Sequence, residues 1–427
     1  MSPQTLARGL SPERSELPNG LVTIAQESDA APAASINLTV YAGSIREPHE
    51  LPGLAFLTSQ ALDRGTTSRS ADDIAEELDE RGVSMRASVT RHTLVLSCTC
   101  LSEDLAAMVA LVADLVRRPS FEAEEIERRR AEAVTSVRQD SDSTAVRSIE
   151  GMLELLYGAD HPYARPWRGT PESLGRIRRE DLLAFHATNV RPSAVRLAIV
   201  GDIDAPVVME LARREFGDWS APSAGHDIVP PPSRPERRIR LIDMPGKSQS
   251  DIAYGFNAIT RLDTRYYAYW MMNNVLGQFG LGGRLADNIR ERQGMAYYAF
   301  STFDATVGEG PLLIRAGVDP HNVGRTVEAI DTEIQHLVAD GPTVAEVEET
   351  RESLVGSIPR MFETNESIAE FLQTSEQFGL GLHYDRVLPF LLERVTCDEV
   401  REAARELLDR ERAAIAVAGP AVVEVLP

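Results

Sequence analysis

Apolar and polar positions along this chain follow two periods, and their order predicts alternating strands and helices in both halves. Ile36, Leu38 and Val40 alternate with Asn37, Thr39 and Tyr41, the period of a half-buried strand. Residues His92 to Leu101 alternate in the same way. Between them, Ser70 is placed to cap a helix with Ile74 and Leu78 on one face. After Ser102, read as another cap, Leu105, Met108, Val109, Val112, Leu115 and Val116 keep helical spacing. Ser120 opens a long charged helix through Glu124, Arg128 and Val134, and Ala194 to Ile203 reads as a further strand.

The second half repeats this grammar. Arg238 to Met244 and Ser250 to Ile259 are strand-like, and Tyr266 to Leu276 is an apolar helix. Pro311 to Val318 is a strand. A helix from about Asn322 to Val338, a Gly341-Pro342-Thr343 turn and a charged helix from Ala345 follow. Between the halves runs SAPSAGHDIVPPPSRPE, residues 220–236, whose three consecutive prolines remove backbone donors and favour extended geometry. It reads as a linker between a domain at 1–219 and another at 237–427. Ile74 to Gly82 can be set against Ile289 to Gly294 with a short gap, and Pro119-Ser-Phe-Glu-Ala-Glu-Glu against Pro342-Thr-Val-Ala-Glu-Val-Glu. Their order points to an internal duplication, two related α+β domains.

Composition narrows the function classes. The chain has 427 residues, enough for two or three domains, and a formal net charge of −21. That charge repels phosphate backbones and anionic lipid, so neither nucleic acid nor a membrane surface is an expected partner. It suits a basic peptide or basic partner subunit, and equally an acidic surface that serves only solubility. Three cysteines, Cys98, Cys100 and Cys397, make no disulfide framework and fit a reducing compartment. Met1 to Asn19 lacks the pattern of a secretory signal, and no apolar run is long enough for a membrane span. A cytoplasmic location is expected.

The chemistry turns on Leu51-Pro-Gly-Leu-Ala-Phe-Leu-Thr-Ser-Gln-Ala-Leu-Asp-Arg-Gly-Thr66. This stretch resembles the insulinase/pitrilysin family, the zinc peptidases with an inverted H-x-x-E-H motif. There, two histidines one helical turn apart hold Zn²⁺, and a glutamate beside the second activates the metal-bound water. A further glutamate ligand comes from a later helix. The resemblance puts Phe56 and Gln60 at the two histidine positions, Ser59 at the base and Ser136 at the third ligand. Phenylalanine does not ligate, glutamine is a feeble ligand, and serine has neither the charge nor the basicity required. The isolated chain is therefore expected to bind no zinc and to cleave no peptide unaided.

Nothing else in the sequence offers a metal site. The histidines at 49, 92, 161, 186, 226, 321, 336 and 383 include no pair at ligand spacing. Cys98 and Cys100 share a strand face with Leu94 and Leu96 and read as packed thiols. Gly277 to Arg284 lacks the Gly-Lys-Ser/Thr ending of a phosphate loop and reads as a mobile glycine-rich loop.

The likeness extends along the chain through Leu17-Pro-Asn-Gly-Leu, Ala42-Gly-Ser, His161-Pro-Tyr-Ala-Arg-Pro, Gly169-Thr-Pro-Glu-Ser, Ile199-Val-Gly-Asp-Ile and Pro245-Gly-Lys-Ser-Gln-Ser. It implies an α+β fold of two homologous domains, each a mostly antiparallel sheet with helices packed on it. It also gives a role to Arg290 and Tyr297, seven positions apart. In the family such a pair reaches the zinc site and contacts the substrate carbonyl. Some members, such as the mitochondrial processing peptidase and small bacterial two-subunit peptidases, divide labour between a zinc subunit and a zinc-less one. By resemblance this chain is the zinc-less, non-catalytic subunit of such a heterodimer. It would bind peptide substrate and donate Arg290 and Tyr297 to a catalytic partner with an intact motif. No cofactor is expected in this chain, with zinc carried by the partner. The alternatives are a structural scaffold subunit of a larger complex, a peptidase by homology label only, or an enzyme with an unconventional site of its own.

Overall fold

Strand segments rich in β-branched and small residues build two sheets in the computed structural model, which describes residues 9–221, 229–231, 236–277 and 282–420. The chain divides into two compact units. The first comprises Met1–Val137, Pro166–His226 and Ile358–Leu388; the second comprises Arg138–Arg165, Asp227–Ser357 and Pro389–Pro427. The two sheets lie in sequence on either side of the 220–236 segment, yet each unit also takes one stretch from the opposite half. Much of 220–236 and half of the Gly277 to Arg284 run fall outside the described residues.

The first unit's sheet holds β1 (Glu13–Glu16), β2 (Val22–Glu27), β3 (Ala33–Val40), β4 (Ser84–Val89), β5 (Leu94–Leu101) and β6 (Val195–Gly201), in the order β1-β2-β6-β3-β5-β4. Only β2 and β6 pair in parallel. The second holds β7 (Arg238–Asp243), β8 (Ser250–Asn257), β9 (Ala296–Phe303), β10 (Pro311–Val318) and β11 (Ala414–Gly419), in the order β7-β11-β8-β10-β9. Again one pair is parallel, β7 with β11. With β1 set aside, order and direction match strand for strand, which is the duplication expressed as topology.

The expected helix positions are met with shifted starts. In the first unit, α1 (Leu54–Ala61) and α2 (Ala71–Glu80) precede β4, and Ser70 caps α2 through a capping box with Asp73. Ser102 does not cap α3 (Leu105–Arg117): a 3₁₀ turn over Ser102–Asp104 intervenes. Nor does Ser120 open α4 (Ala123–Ser141); Phe121 is buried at φ 47°, and the helix begins after it.

The reading of β3 as half-buried is corrected. Ser35, Asn37 and Thr39 are buried along with Ile36, Leu38 and Val40. Helix Asn365–Gln377 covers the polar face, and its Gln373 makes three hydrogen bonds to that face. The Gln373 amide donates to the Asn37 carbonyl (2.7 Å) and the Arg196 carbonyl (2.9 Å), and its oxygen accepts from the Thr39 hydroxyl (2.9 Å). In the second unit, α5 (Thr144–Tyr157) covers the sheet in the corresponding way. A Cβ at Gly151 of α5 would stand 2.8 Å from Ile242 Cδ1, so glycine is what lets this helix approach so closely. Met152 fills the space above Gly255, and the Tyr157 hydroxyl donates to the Glu309 carbonyl at 2.9 Å.

Cys98 and Cys100 lie on the buried face of β5 with Leu94 and Leu96. Burial pushes their thiols up to about 12 and about 11, so they are inert packing groups. Among the described residues no helix is long and apolar enough to cross a membrane.

Candidate functional site

The stretch that resembles the zinc motif forms α1, whose start is fixed by a carboxylate and two glycines. Gly53 opens the helix at φ +91°, and the buried Glu47 carboxylate accepts the Gly53 N–H (3.1 Å) and Ala55 N–H (2.6 Å). A negative group there satisfies orphan donors and suits the positive end of the helix. A Cβ on Gly53 would lie 2.8 Å from the Arg168 carbonyl oxygen; one on Gly169 would lie 2.5 Å from the Pro52 carbonyl oxygen. The 166–169 segment can therefore lie directly against the start of α1. The Ser173 hydroxyl secures it by donating to the Pro52 carbonyl at 2.8 Å.

Helical spacing turns Phe56 and Gln60 to one partly exposed face, while Ser59 is wholly buried and donates to the Phe56 carbonyl at 2.7 Å. The base position is thus occupied by a hydroxyl bonded to its own helix. Ser136 lies on α4 and is partly buried.

Phe56 and Ser136 meet through Arg168, which the sequence reasoning did not single out. The Arg168 guanidinium donates to the Ser136 hydroxyl. Its central carbon lies 5.1 Å from the Phe56 ring centroid and 5.8 Å from that of Trp167. The two rings meet edge to face at 5.7 Å. One cation therefore touches the first and third ligand positions and sits against aromatic surface, an arrangement that attracts cations without ligating metal. The available signal was an aromatic–basic pair, Trp167-Arg168, directly before a glycine at φ +77°.

Three carboxylates just after α1 and on α4 are paired with arginines. Asp63 pairs with Arg64 (3.1 Å), Glu125 with Arg128 (3.1 Å) and Glu132 with Arg129 (2.6 Å). Burial pushes the Asp63 carboxyl upward against the pull of Arg64. Among the described residues no group of three or more histidines, cysteines and carboxylates could hold a metal ion. A divalent metal does not fit the side chains at 56, 59, 60 and 136, and a resident guanidinium opposes it further.

Arg290 and Tyr297 belong to the second unit. Arg290 lies in a π-helical segment, Ala286–Arg292, anchored by buried Ala286 and Ile289. Its side chain is 35% exposed and lies 3.5 Å from Glu291. A turn at Gly294 leads into β9, where alternation turns Tyr298 inward to Asp251 and leaves Tyr297 68% exposed. Single turns of π-helix recur at functional positions in proteins.

Comparison with known proteins agrees with this architecture. Residues 22–170 match the model of the insulinase family, peptidase family M16, and residues 176–354 match that of the peptidase M16 inactive domain. An uncharacterized zinc protease of Mycobacterium tuberculosis is 29% identical over 425 residues, 98% of this chain and 95% of the relative. One from Bacillus subtilis is 23% identical over 396 residues, 92% of this chain and 95% of the relative. A solved peptidase M16 inactive domain from Pseudomonas fluorescens superposes with a TM-score of 0.91 at 25% identity, covering 97% of this chain and 99% of that one. A protease from Helicobacter pylori superposes at 0.89 and 16% identity, covering 96% and 100%, which speaks for the fold alone.

Proposed function

The chain belongs to the insulinase family of M16 peptidases, and on that premise we propose that it is the zinc-less subunit of a two-chain peptidase. One observation carries the reading: an arginine joins positions 56 and 136, where the family's metal chemistry needs two ligands. With Ser59 in place of the base, this chain has no group to take a proton from an attacking water. The relatives' names speak of zinc proteases, but the side chains here do not support that activity in isolation.

What remains suits binding. Strand β4 forms one edge of the first sheet, adjacent to α1, and an edge strand offers unpaired backbone groups to an extended peptide. Arg290 and Tyr297 supply a cation and a phenolic donor on the second unit. In trans, they would hydrogen-bond the carbonyl oxygen of a substrate whose cleavage is performed by a partner carrying the intact zinc motif. The net charge of −21 favours basic peptides or a basic partner surface.

The test is a paired assay of this chain alone and with a zinc-motif relative from the same organism, on a mixed peptide library. Activity only in the pair, lowered about 100-fold by Arg290→Ala with Tyr297→Phe, is the expected result. Equal cleavage by the relative with or without this chain would refute the proposal and leave the scaffold role.

A further inference from the structure

We propose that Arg168 is the resident cation of the degenerate site, taking the space between α1 and α4 that a metal would need and barring divalent ions from it. The inference rests on the first unit alone and not on any partner. Its guanidinium bonds the Ser136 hydroxyl and lies 5.1 Å from the Phe56 ring centroid, so one group spans both former ligand positions. The substitutions suit a guanidinium in particular. A phenyl face removes a metal ligand and adds a seat for a planar cation, and a serine hydroxyl removes a negative charge yet still accepts a hydrogen bond.

The position of Arg168 is imposed by the backbone. Gly53 and Gly169 approach too closely to admit a Cβ on either, and Ser173 ties the same turn to Pro52. The side chain thus starts from a fixed point beside α1. A monovalent cation held within a few ångströms of a divalent one in a partly buried site lowers metal affinity by orders of magnitude. Restoring the four zinc-site residues would therefore not restore a good metal site while Arg168 remains.

The experiment uses the full chain with Phe56→His, Ser59→Glu, Gln60→His and Ser136→Glu combined, made with Arg168 intact and with Arg168→Leu. Zinc affinity is read by competition with a chromophoric chelator. The Arg168→Leu version is expected to bind zinc at least ~100-fold more tightly, and equal affinities would overturn the proposal. A second readout needs no metal and only mild substitutions: Ser136→Glu alone, in the native and Arg168→Leu backgrounds, followed by thermal unfolding. With Arg168 present, the new carboxylate gains a charge-assisted partner and should raise Tm by ~2 °C or more. Without it, Tm should stay level or fall. The same shift in both backgrounds would show that Arg168 is not the cation of this site, whatever the chain's partner proves to be.

Discussion

The two units share a strand order but treat their charged groups in opposite ways. In the first, the groups around α1 bond to one another: Phe56 and Trp167 hold Arg168, Ser136 accepts from it, and Ser59 bonds to its own helix. In the second, Arg290 and Tyr297 follow one another across a π-helical turn and a strand start, with Tyr297 largely exposed. A duplicated sheet is held in common because register and burial constrain every strand at once. The helix surfaces beside it carry no such constraint. One unit presents no metal-ligating side chain at 56, 59 and 136, while the other leaves Tyr297 68% and Arg290 35% exposed.

The comparison breaks most readily at the glycine contact beneath the first unit's site. Gly53→Ala would place a Cβ at positive φ, 2.8 Å from the Arg168 carbonyl oxygen. It is expected to cost about 3–4 kcal/mol in denaturant unfolding. Gly255→Ala in the second unit meets only the flexible Met152 side chain and should cost about 1–2 kcal/mol. Equal losses would mean that the glycine contact is not a special constraint.

The covering helices come next. Gln373→Leu leaves two buried carbonyls and the Thr39 hydroxyl without their partner, an expected loss of about 2–3 kcal/mol. A change below about 0.5 kcal/mol would show that the helix is held by apolar contact alone.

Titration distinguishes the units more gently. Burial and the neighbouring Arg91 and Arg46 push the His92 imidazole down from 6.5 to about 4. The unfolded chain then takes up this proton first, so stability is full well above pH 6.5 and falls progressively toward pH 4, by about 3 kcal/mol. Burial also lowers His186 in the first unit and His161 in the second, and both add to the slope. His92→Gln should flatten stability between pH 6.5 and 4 but not below it. In the second unit, burial raises the Glu346 carboxyl, but hydrogen bonds from Arg284 and Thr343 outweigh it and hold the group at about 2. Its contribution is therefore present above pH 4.5 and lost toward pH 2. Glu346→Gln should lower stability throughout the range above pH 4.5 and flatten its pH dependence only between pH 4.5 and 2.

The smallest effect concerns thiols. Native protein should react with a disulfide-exchange reagent at Cys397 only, and at all three cysteines once unfolded. Rapid native labelling of Cys98 or Cys100 would contradict the packing of β5.

Strand positions were legible where a period of two survives because one face is apolar, as in β5. The burial of both faces of β3 was not, because Asn37 and Thr39 find their partner in Gln373, far along the chain. Helix α5 was missed for a related reason. Its Gly151 and Met152 make sense only against β7, β8 and β11, which lie after the proline-rich segment. In the site, Phe56, Ser59, Gln60 and Ser136 were singled out only through their place in a resembled motif, and the fold sets Phe56 and Ser136 against one guanidinium. Arg168 was not, since its role arises from two glycines that touch only in the folded chain.

The most direct test of the central claim is zinc content and hydrolysis in the same purified sample of the isolated chain. After equilibration with micromolar zinc and removal of excess, the account expects no stoichiometric metal and no chelator-sensitive cleavage of peptides. One tightly bound zinc per chain, with hydrolysis that disappears on chelation and returns with metal, would contradict it.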